Sequence, residues 1–224
     1  MRTTLLIILA LLTLTAVAKK PKRTTVEMLT SKGKITIQLY DETPQHRDNF
    51  IKLAKSGFYN DLLFHRVIED FMIQGGDPDS KDAPAGKQLG EGGPGYDIPA
   101  EIIYPNLYHK RGVLAAAREG DFTNPERKSS GSQFYIVWGK TFSRDEIDDM
   151  AEAIQRASRG KIIMPEEIKT YYMRYGGTPH LDGAYTVFGE VTKGIEVVNA
   201  IQQVETDQND RPFEDIKILS VTVK

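Results

Sequence analysis

Residues 64–77, FHRVIEDFMIQGGD, read as two short strands around a tight turn that ends in a double glycine. Runs this close in sequence pair as antiparallel neighbours. The same unit recurs earlier: residues 26–30 and 34–40 form a hairpin about Ser31-Lys32-Gly33, with Ile35, Ile37 and Leu39 on one face. Further strands are expected at RGVLAAAR (111–118), SQFYIVWG (132–139), AYTVFGEV (184–191) and the closing DIKILSVTV. The chain thus holds about eight short strands. Two scattered helices accompany them. One has Pro44 near its start, Phe50, Leu53 and Ala54 at helical spacing, and Gly57 as its stop; the other is GIEVVNAIQQV (194–204). With no βαβ alternation, the pattern favours a closed or sandwiched antiparallel sheet.

One block departs from this pattern. Ser143-Arg144-Asp145-Glu146 is a capping box, followed by an apolar stripe at Ile147, Met150, Ala151 and Ile154 that Gly160 ends. A second helix starts at Pro165-Glu166-Glu167 and runs through Ile168, Tyr171, Tyr172 and Tyr175 to Gly176-Gly177. The block at 140–178 therefore reads as a helical hairpin set between two strands, expected to pack as decoration rather than as a lid. Residues 78–100 read as a long Gly/Pro/Asp-rich loop.

The 224 residues suffice for one domain with a full core. A formal charge of −2 provides no global basic field for nucleic acid or membrane. The absence of cysteine excludes disulfides, thiol nucleophiles and thiolate metal sites. The N-terminus has Arg2, an apolar run over residues 5–14 and Ala16-Val17-Ala18, the three-part plan of a secretory signal peptide at 1–18. Export to periplasm or medium is expected, with a basic linker at 19–25 and no stable membrane association after cleavage. The alternative is an uncleaved anchor, because Lys19, Lys20, Lys22 and Arg23 follow at once and resist export.

Several motifs fail on context. Gly90-x-Gly92-x-x-Gly95 matches a dinucleotide fingerprint by letter, but no strand precedes it, Pro94 sits inside it and no helix follows. Ser129-Ser130-Gly131-Ser132 is no nucleophile elbow. His46, His65, His109 and His180 lack metal-ligand spacing, and His65 reads as a satisfied core or surface histidine. Arg66 is harder to place. On an alternating strand Phe64, Arg66 and Ile68 share one face, and arginine seldom sits in such a setting unpaired. Either its stem packs while its head reaches Glu69 or Asp70, or its guanidinium is held at the rim of an apolar pocket walled by Phe71 and Met72, with Gln74 as a second donor. The residue types leave both readings open.

The stretch FHRVIEDFMIQGGD, continued by GVLAAAR, GSQFYIVW, HLDG and YTVFGEV, resembles the cyclophilin family of peptidyl-prolyl cis-trans isomerases over residues 26–223, apart from the helical hairpin. The resemblance implies a mainly β fold: a closed eight-stranded antiparallel barrel capped by two helices. It implies Arg66 as the catalytic residue, no metal or cofactor, and proline-containing polypeptides as partners. It implies substrate contacts from Phe71, Met72, Gln74, Ala117, Gln133 and Leu181, which match the family, and from Arg118, Tyr135, His180 and Tyr185, which depart from it. Arg118 stands where many members have Asn, Tyr135 replaces a Phe, His180 stands where Trp is frequent, and Tyr185 replaces a His. The backbone of Ala117 and Arg118 is expected to grip the peptide. A competing function, motivated by His180 and Tyr185, is a proline-peptide binding module or holdase with little turnover.

Overall fold

The computed structural model describes residues 23–224. The signal peptide expected at 1–18 lies outside the described residues, as does most of the basic linker. Ten strands follow in chain order: β1 (Thr25–Thr30), β2 (Gly33–Leu39), β3 (Leu62–Ile68), β4 (Met72–Gly75), β5 (Asp97–Ile98), β6 (Val113–Ala116), β7 (Ser129–Ser130), β8 (Phe134–Val137), β9 (Val187–Lys193) and β10 (Lys217–Val223). Eight close into an antiparallel barrel in the order β1-β10-β3-β4-β8-β6-β9-β2, and β5 pairs with β7 apart from it. Closure leaves the barrel without an edge strand to template aggregation.

Alternation sorts each strand between interior and exterior. Val26, Met28, Ile35, Ile37, Leu39, Ile73, Leu114, Phe134 and Ile136 fill one interior cluster. Helix α1 (Pro44–Lys55) closes one end with Phe50, Leu53 and Ala54, and α4 (Ile195–Gln202) contributes Val198 and Ile201 to the same cluster. Pro44 occupies the first turn of α1, where its missing N–H costs no intrahelical bond. The Phe50 ring packs on Tyr59, Phe134 and Phe188 at centroid distances of 4.9, 5.7 and 5.7 Å. Each such fully buried ring contributes about 1.5–3 kcal/mol of burial.

The inserted hairpin is α2 (Arg144–Ala157) and α3 (Glu166–Tyr175). Ser143 Oγ accepts from the Glu146 N–H at 3.2 Å and the Ser143 N–H donates to Glu146 Oε2 at 2.8 Å, completing the capping box. Ile147, Ala151, Met164, Ile168 and Tyr172 form a separate core, with Tyr104, Tyr108 and Phe142 packed against it. The two ends of the insertion are tied together by the Gly177 N–H, which donates to the Lys140 carbonyl at 3.1 Å, and the Thr178 N–H ties its end to the barrel side through the His109 carbonyl at 2.9 Å. Gly139 has φ +67°, and a Cβ there would strike the Gly177 backbone, so this junction demands glycine.

The hairpin at 64–77 differs from simple alternation. Phe64 pairs with Gly75 but Arg66 pairs with Gln74, so the register shifts around His65. This β-bulge turns Phe64 into the barrel interior beside Val67, while Ile68 packs with the exterior cluster. The expectation that Phe64, Arg66 and Ile68 share a face is corrected accordingly. One extra residue between two ladder pairs inverts the alternation.

Candidate active site

Cross-strand partners share a face of the sheet. Arg66 on β3 pairs with Gln74 on β4, Gln74 pairs with Tyr135 on β8, and Tyr135 pairs with Ala115 on β6. These four residues form a row across the outer wall of the barrel. Around it lies one apolar cluster with Met72, Val113, Ala115, Tyr135, Val137 and Val187 at its centre and Phe71, Ala117, Leu181 and Tyr185 packed against it. His180 adds its ring at 5.4 Å from Phe71. Gln74 Nε2 donates to Gln133 Oε1 at 3.0 Å. The sequence-expected residues of residue types as distant as Arg66 and Tyr185 are therefore brought to one surface.

Arg66 is anchored at one nitrogen. Its Nε donates to Asp210 Oδ2 at 3.1 Å, and both side chains are about two-fifths exposed. Its partner is Asp210, not Glu69 or Asp70. The Val67 N–H donates to the Asp210 carbonyl at 2.8 Å, which lays the 207–211 turn beside β3 and puts the carboxylate within reach. The terminal guanidinium nitrogens of Arg66 make no hydrogen bond or ion pair among the described residues.

The backbone N–H of Ala117 is not free to grip a ligand. Its N–H donates to the Gln133 carbonyl at 3.0 Å and its carbonyl accepts from Ser130 N–H at 2.8 Å. These bonds, to the residue before β8 and to β7, use the Ala117 N–H and one lone pair of its carbonyl oxygen, which keeps a second. The Arg118 side chain is likewise committed: Nε donates to the Ala184 carbonyl at 2.9 Å and the guanidinium lies 4.3 Å over the Tyr185 ring. It holds Tyr185 against the cluster, where Tyr185 meets the Tyr135 ring edge-on at 6.0 Å.

Beside this wall opens a cleft of about 1110 Å³ that includes Gln74, Ala117, Arg118 and Gln133 in its lining. The 78–100 loop forms its far side. Gln133 Nε2 donates to the carbonyls of Gly90 and Gly92, both at 2.8 Å, so the glycine-rich letters that mimic a nucleotide fingerprint are here a loop clamped by a side-chain amide. Buried Asp77, the last residue of the opening stretch, accepts from the N–H groups of Asp79 and Gly90 and fixes the loop at its root.

His65 is buried, yet neither ring nitrogen has a hydrogen-bond partner. It is a core histidine, but not a satisfied one. Burial lowers its pKa to about 4, with nearby Asp77 opposing that shift and Arg66 adding to it. An unfolded histidine titrates near 6.5, so between those values the unfolded chain binds the extra proton and stability falls as pH falls. The loss approaches about 3 kcal/mol at full titration. His65→Leu is expected to flatten the decline in Tm between pH 7 and 4.5. A residual slope will persist from His46, whose pKa burial also lowers against the opposing Glu101 contact. An unchanged profile in the variant would remove His65 as the cause.

Four residues at or behind the site carry no local sequence signal: Asp210, His109, Asp182 and Arg211. His109 and Asp182 are fully buried and bonded to each other, with His109 Nδ1 3.0 Å from Asp182 Oδ1. Asp182 lies within HLDG beside Leu181, but nothing in those letters marks it as buried.

Comparison with known proteins places this geometry. The family model described as cyclophilin type peptidyl-prolyl cis-trans isomerase matches residues 25–223. The Rhizopus delemar protein named peptidyl-prolyl cis-trans isomerase-like 2 is 33% identical over 91% of this chain, which spans 29% of that protein's length. A Staphylococcus saprophyticus protein whose name carries the same activity is 36% identical, over 88% of this chain and 89% of its own length. The crystal structure of a Cryptosporidium parvum cyclophilin type isomerase superposes with a TM-score of 0.63 at 26% identity, covering 91% of this chain and 98% of that one. The family match, the shared fold and the row of Arg66, Gln74 and Tyr135 on the barrel wall agree: the chain belongs to the cyclophilin-type peptidyl-prolyl cis-trans isomerases.

Proposed function

We propose that this cyclophilin accelerates rotation about X–Pro bonds in proteins that fold after export, with Arg66 as the donor to the prolyl nitrogen. The observation that carries the reading is the state of Arg66: tethered by Nε to Asp210, with its outer nitrogens unengaged among the described residues, beside an apolar wall.

Amide resonance sets a barrier of about 18–20 kcal/mol and makes uncatalysed X–Pro exchange take tens to hundreds of seconds. In the twisted transition state that resonance is lost and the nitrogen regains a lone pair. A donor aimed at this lone pair binds the transition state more tightly than either planar ground state, which is the condition for acceleration. Arginine suits the task because it stays charged and presents a rigid fork. The Asp210 tether would hold that fork toward the wall. Phe71, Met72, Tyr135 and Leu181 would take the proline ring and exclude water, strengthening the hydrogen bond. Gln74, the Ala117 carbonyl and the Arg118 backbone would meet the peptide groups alongside, while Gln133 holds Gln74 and the loop in place. No proton is transferred and no covalent intermediate forms. His180 and Tyr185 would shape the rim and hence the residues preferred beside proline. The Cryptosporidium protein was also crystallised in the presence of the dipeptide Ala-Pro, which supports a short proline peptide as a probe.

Export is supported by residues 1–18 alone. Expression of the full chain in a bacterial host, with fractionation and intact mass, tests it. The expected product lies outside the cytoplasm, begins at Lys19 and accelerates exchange of an Ala-Pro peptide. Full-length protein retained in cytosol or membrane would overturn export. A folded product that binds the peptide without accelerating exchange would overturn the isomerase reading and leave a binding module.

A further inference from the structure

A buried hydrogen-bonded chain runs from the inserted hairpin to the pocket wall. Tyr172 on α3 is fully buried, and its hydroxyl donates to Asp182 Oδ2 at 2.8 Å. Asp182 Oδ1 accepts from the His109 backbone N–H at 2.8 Å and meets His109 Nδ1 at 3.0 Å. A carboxylate only accepts, so the Nδ1 proton is on His109. In the neutral ring Nε2 is then the acceptor. It faces the Tyr135 hydroxyl at 3.0 Å. Burial pushes the phenols of Tyr172 and Tyr135 well above their usual value, so both remain O–H donors. With a neutral His109 ring, the protons run from Tyr172 to Asp182, from His109 to Asp182, and from Tyr135 to His109.

The terminal members belong to different parts of the molecule. Tyr135 lies in the row that contains Arg66 and Gln74, while Tyr172 anchors the insertion's own core. Asp182 directly follows Leu181, the other pocket wall, and the short turn that carries His180. One carboxylate therefore braces two walls from behind, and the insertion braces the carboxylate. We propose that Tyr172, Asp182 and His109 are positioning residues through which the inserted hairpin sets the proline pocket by holding the Tyr135 ring. The proposal deepens the isomerase reading and rests on it for the use of the pocket. Tyr135 and Tyr172 act as the two ends of the device; phenylalanine at either end has no hydroxyl to extend the chain.

The test is a double-mutant cycle in the full chain with Tyr172→Phe and Tyr135→Phe, read both as kcat/KM for exchange of an Ala-Pro peptide and as affinity for that peptide. Both substitutions keep the ring. In the parent background Tyr172→Phe is expected to lower kcat/KM about fivefold, within the range that coupled pairs show. In the Tyr135→Phe background, where the chain is already cut at the pocket, the same change is expected to cost less than about twofold. Loosening of the fold alone would act equally in both backgrounds; equal factors, or no effect in the parent, would overturn the proposal. Where Tyr172→Phe folds too weakly to assay, His109→Asn cuts the chain at its middle and enters the same cycle. A parent that binds the peptide without turnover, while affinity still shows the coupling, keeps the positioning chain and removes the isomerase reading. A parent that turns over with no coupling in rate or affinity does the reverse. One that neither binds nor turns over overturns both.

Discussion

Arg66→Ala is expected to lower kcat/KM for exchange of an Ala-Pro peptide by about 10²- to 10³-fold, the usual cost of deleting one donor aimed at a transition state. Most of the loss should fall on kcat, because the prolyl lone pair exists only in the twisted state. Stability should change little. The ion pair with Asp210 is two-fifths exposed on both sides, and pairs of that kind contribute about 0–1 kcal/mol. Arg66→Lys is a sharper version of the same test. It keeps the charge but not the fork, so tethering to Asp210 and donation to the ligand would compete for a single ammonium. Recovery is expected to be slight. The assay is peptide exchange followed by NMR, with Tm measured on the same samples. An alanine variant that turns over within threefold of the parent would remove Arg66 from the chemistry.

Arg211→Met is expected to destabilise the protein by about 3–5 kcal/mol, with a fall in Tm of about 10 °C. Arg211 is buried, and its guanidinium donates to the carbonyls of Pro84 and Lys87 at 2.8 and 3.0 Å and of Ala83 at 3.2 Å, besides Asp215 at 3.3 Å. Methionine fills similar space but leaves the Ala83 and Lys87 carbonyls without a donor, while the Pro84 carbonyl keeps the Lys87 N–H at 3.2 Å. The effect should reach function as well. Those carbonyls belong to the 78–100 loop, whose later residues, from Gly90 to Asp97, form one side of the cleft lined by Gln74 and Gln133. Arg211 also neighbours Asp210 in the turn that orients Arg66. A rise in KM is therefore expected together with the loss of stability. Thermal unfolding and peptide titration of the variant check both, and an unchanged Tm would show that the loop holds without this anchor.

Local pattern carried much of the architecture. Alternation in Lys34 to Tyr40, the capping box at Ser143 and the stripe from Ile147 to Ile154 each depend on residues within one turn or one pleat, so they are readable before any tertiary contact is known. The same holds for Phe71, Met72 and Gln74, which the structure gathers beside Arg66. Reading failed where the deciding atom was remote or the register irregular. Phe64 does not share a face with Arg66 and Ile68, because a bulge is a property of two paired strands and nothing in one strand announces it. Arg66 has acidic neighbours at Glu69 and Asp70 but bonds to Asp210, 144 positions away. The Ala117 N–H is taken by the Gln133 carbonyl across the sheet, a pairing that its own strand does not announce.

The amino-acid sequence by itself determined the eight barrel strands, the helices and the place of the insertion, because period, capping and turn chemistry act over a few residues, and its motifs carried the resemblance to the family. Closure of the barrel decided the rest: which face Phe64 takes, which carboxylate tethers Arg66, and how Tyr172 comes to stand behind Tyr135. Hydrogen bonds form between groups within about 3 Å whatever their separation along the chain, and only the closed sheet with its packed insertion brings those groups together.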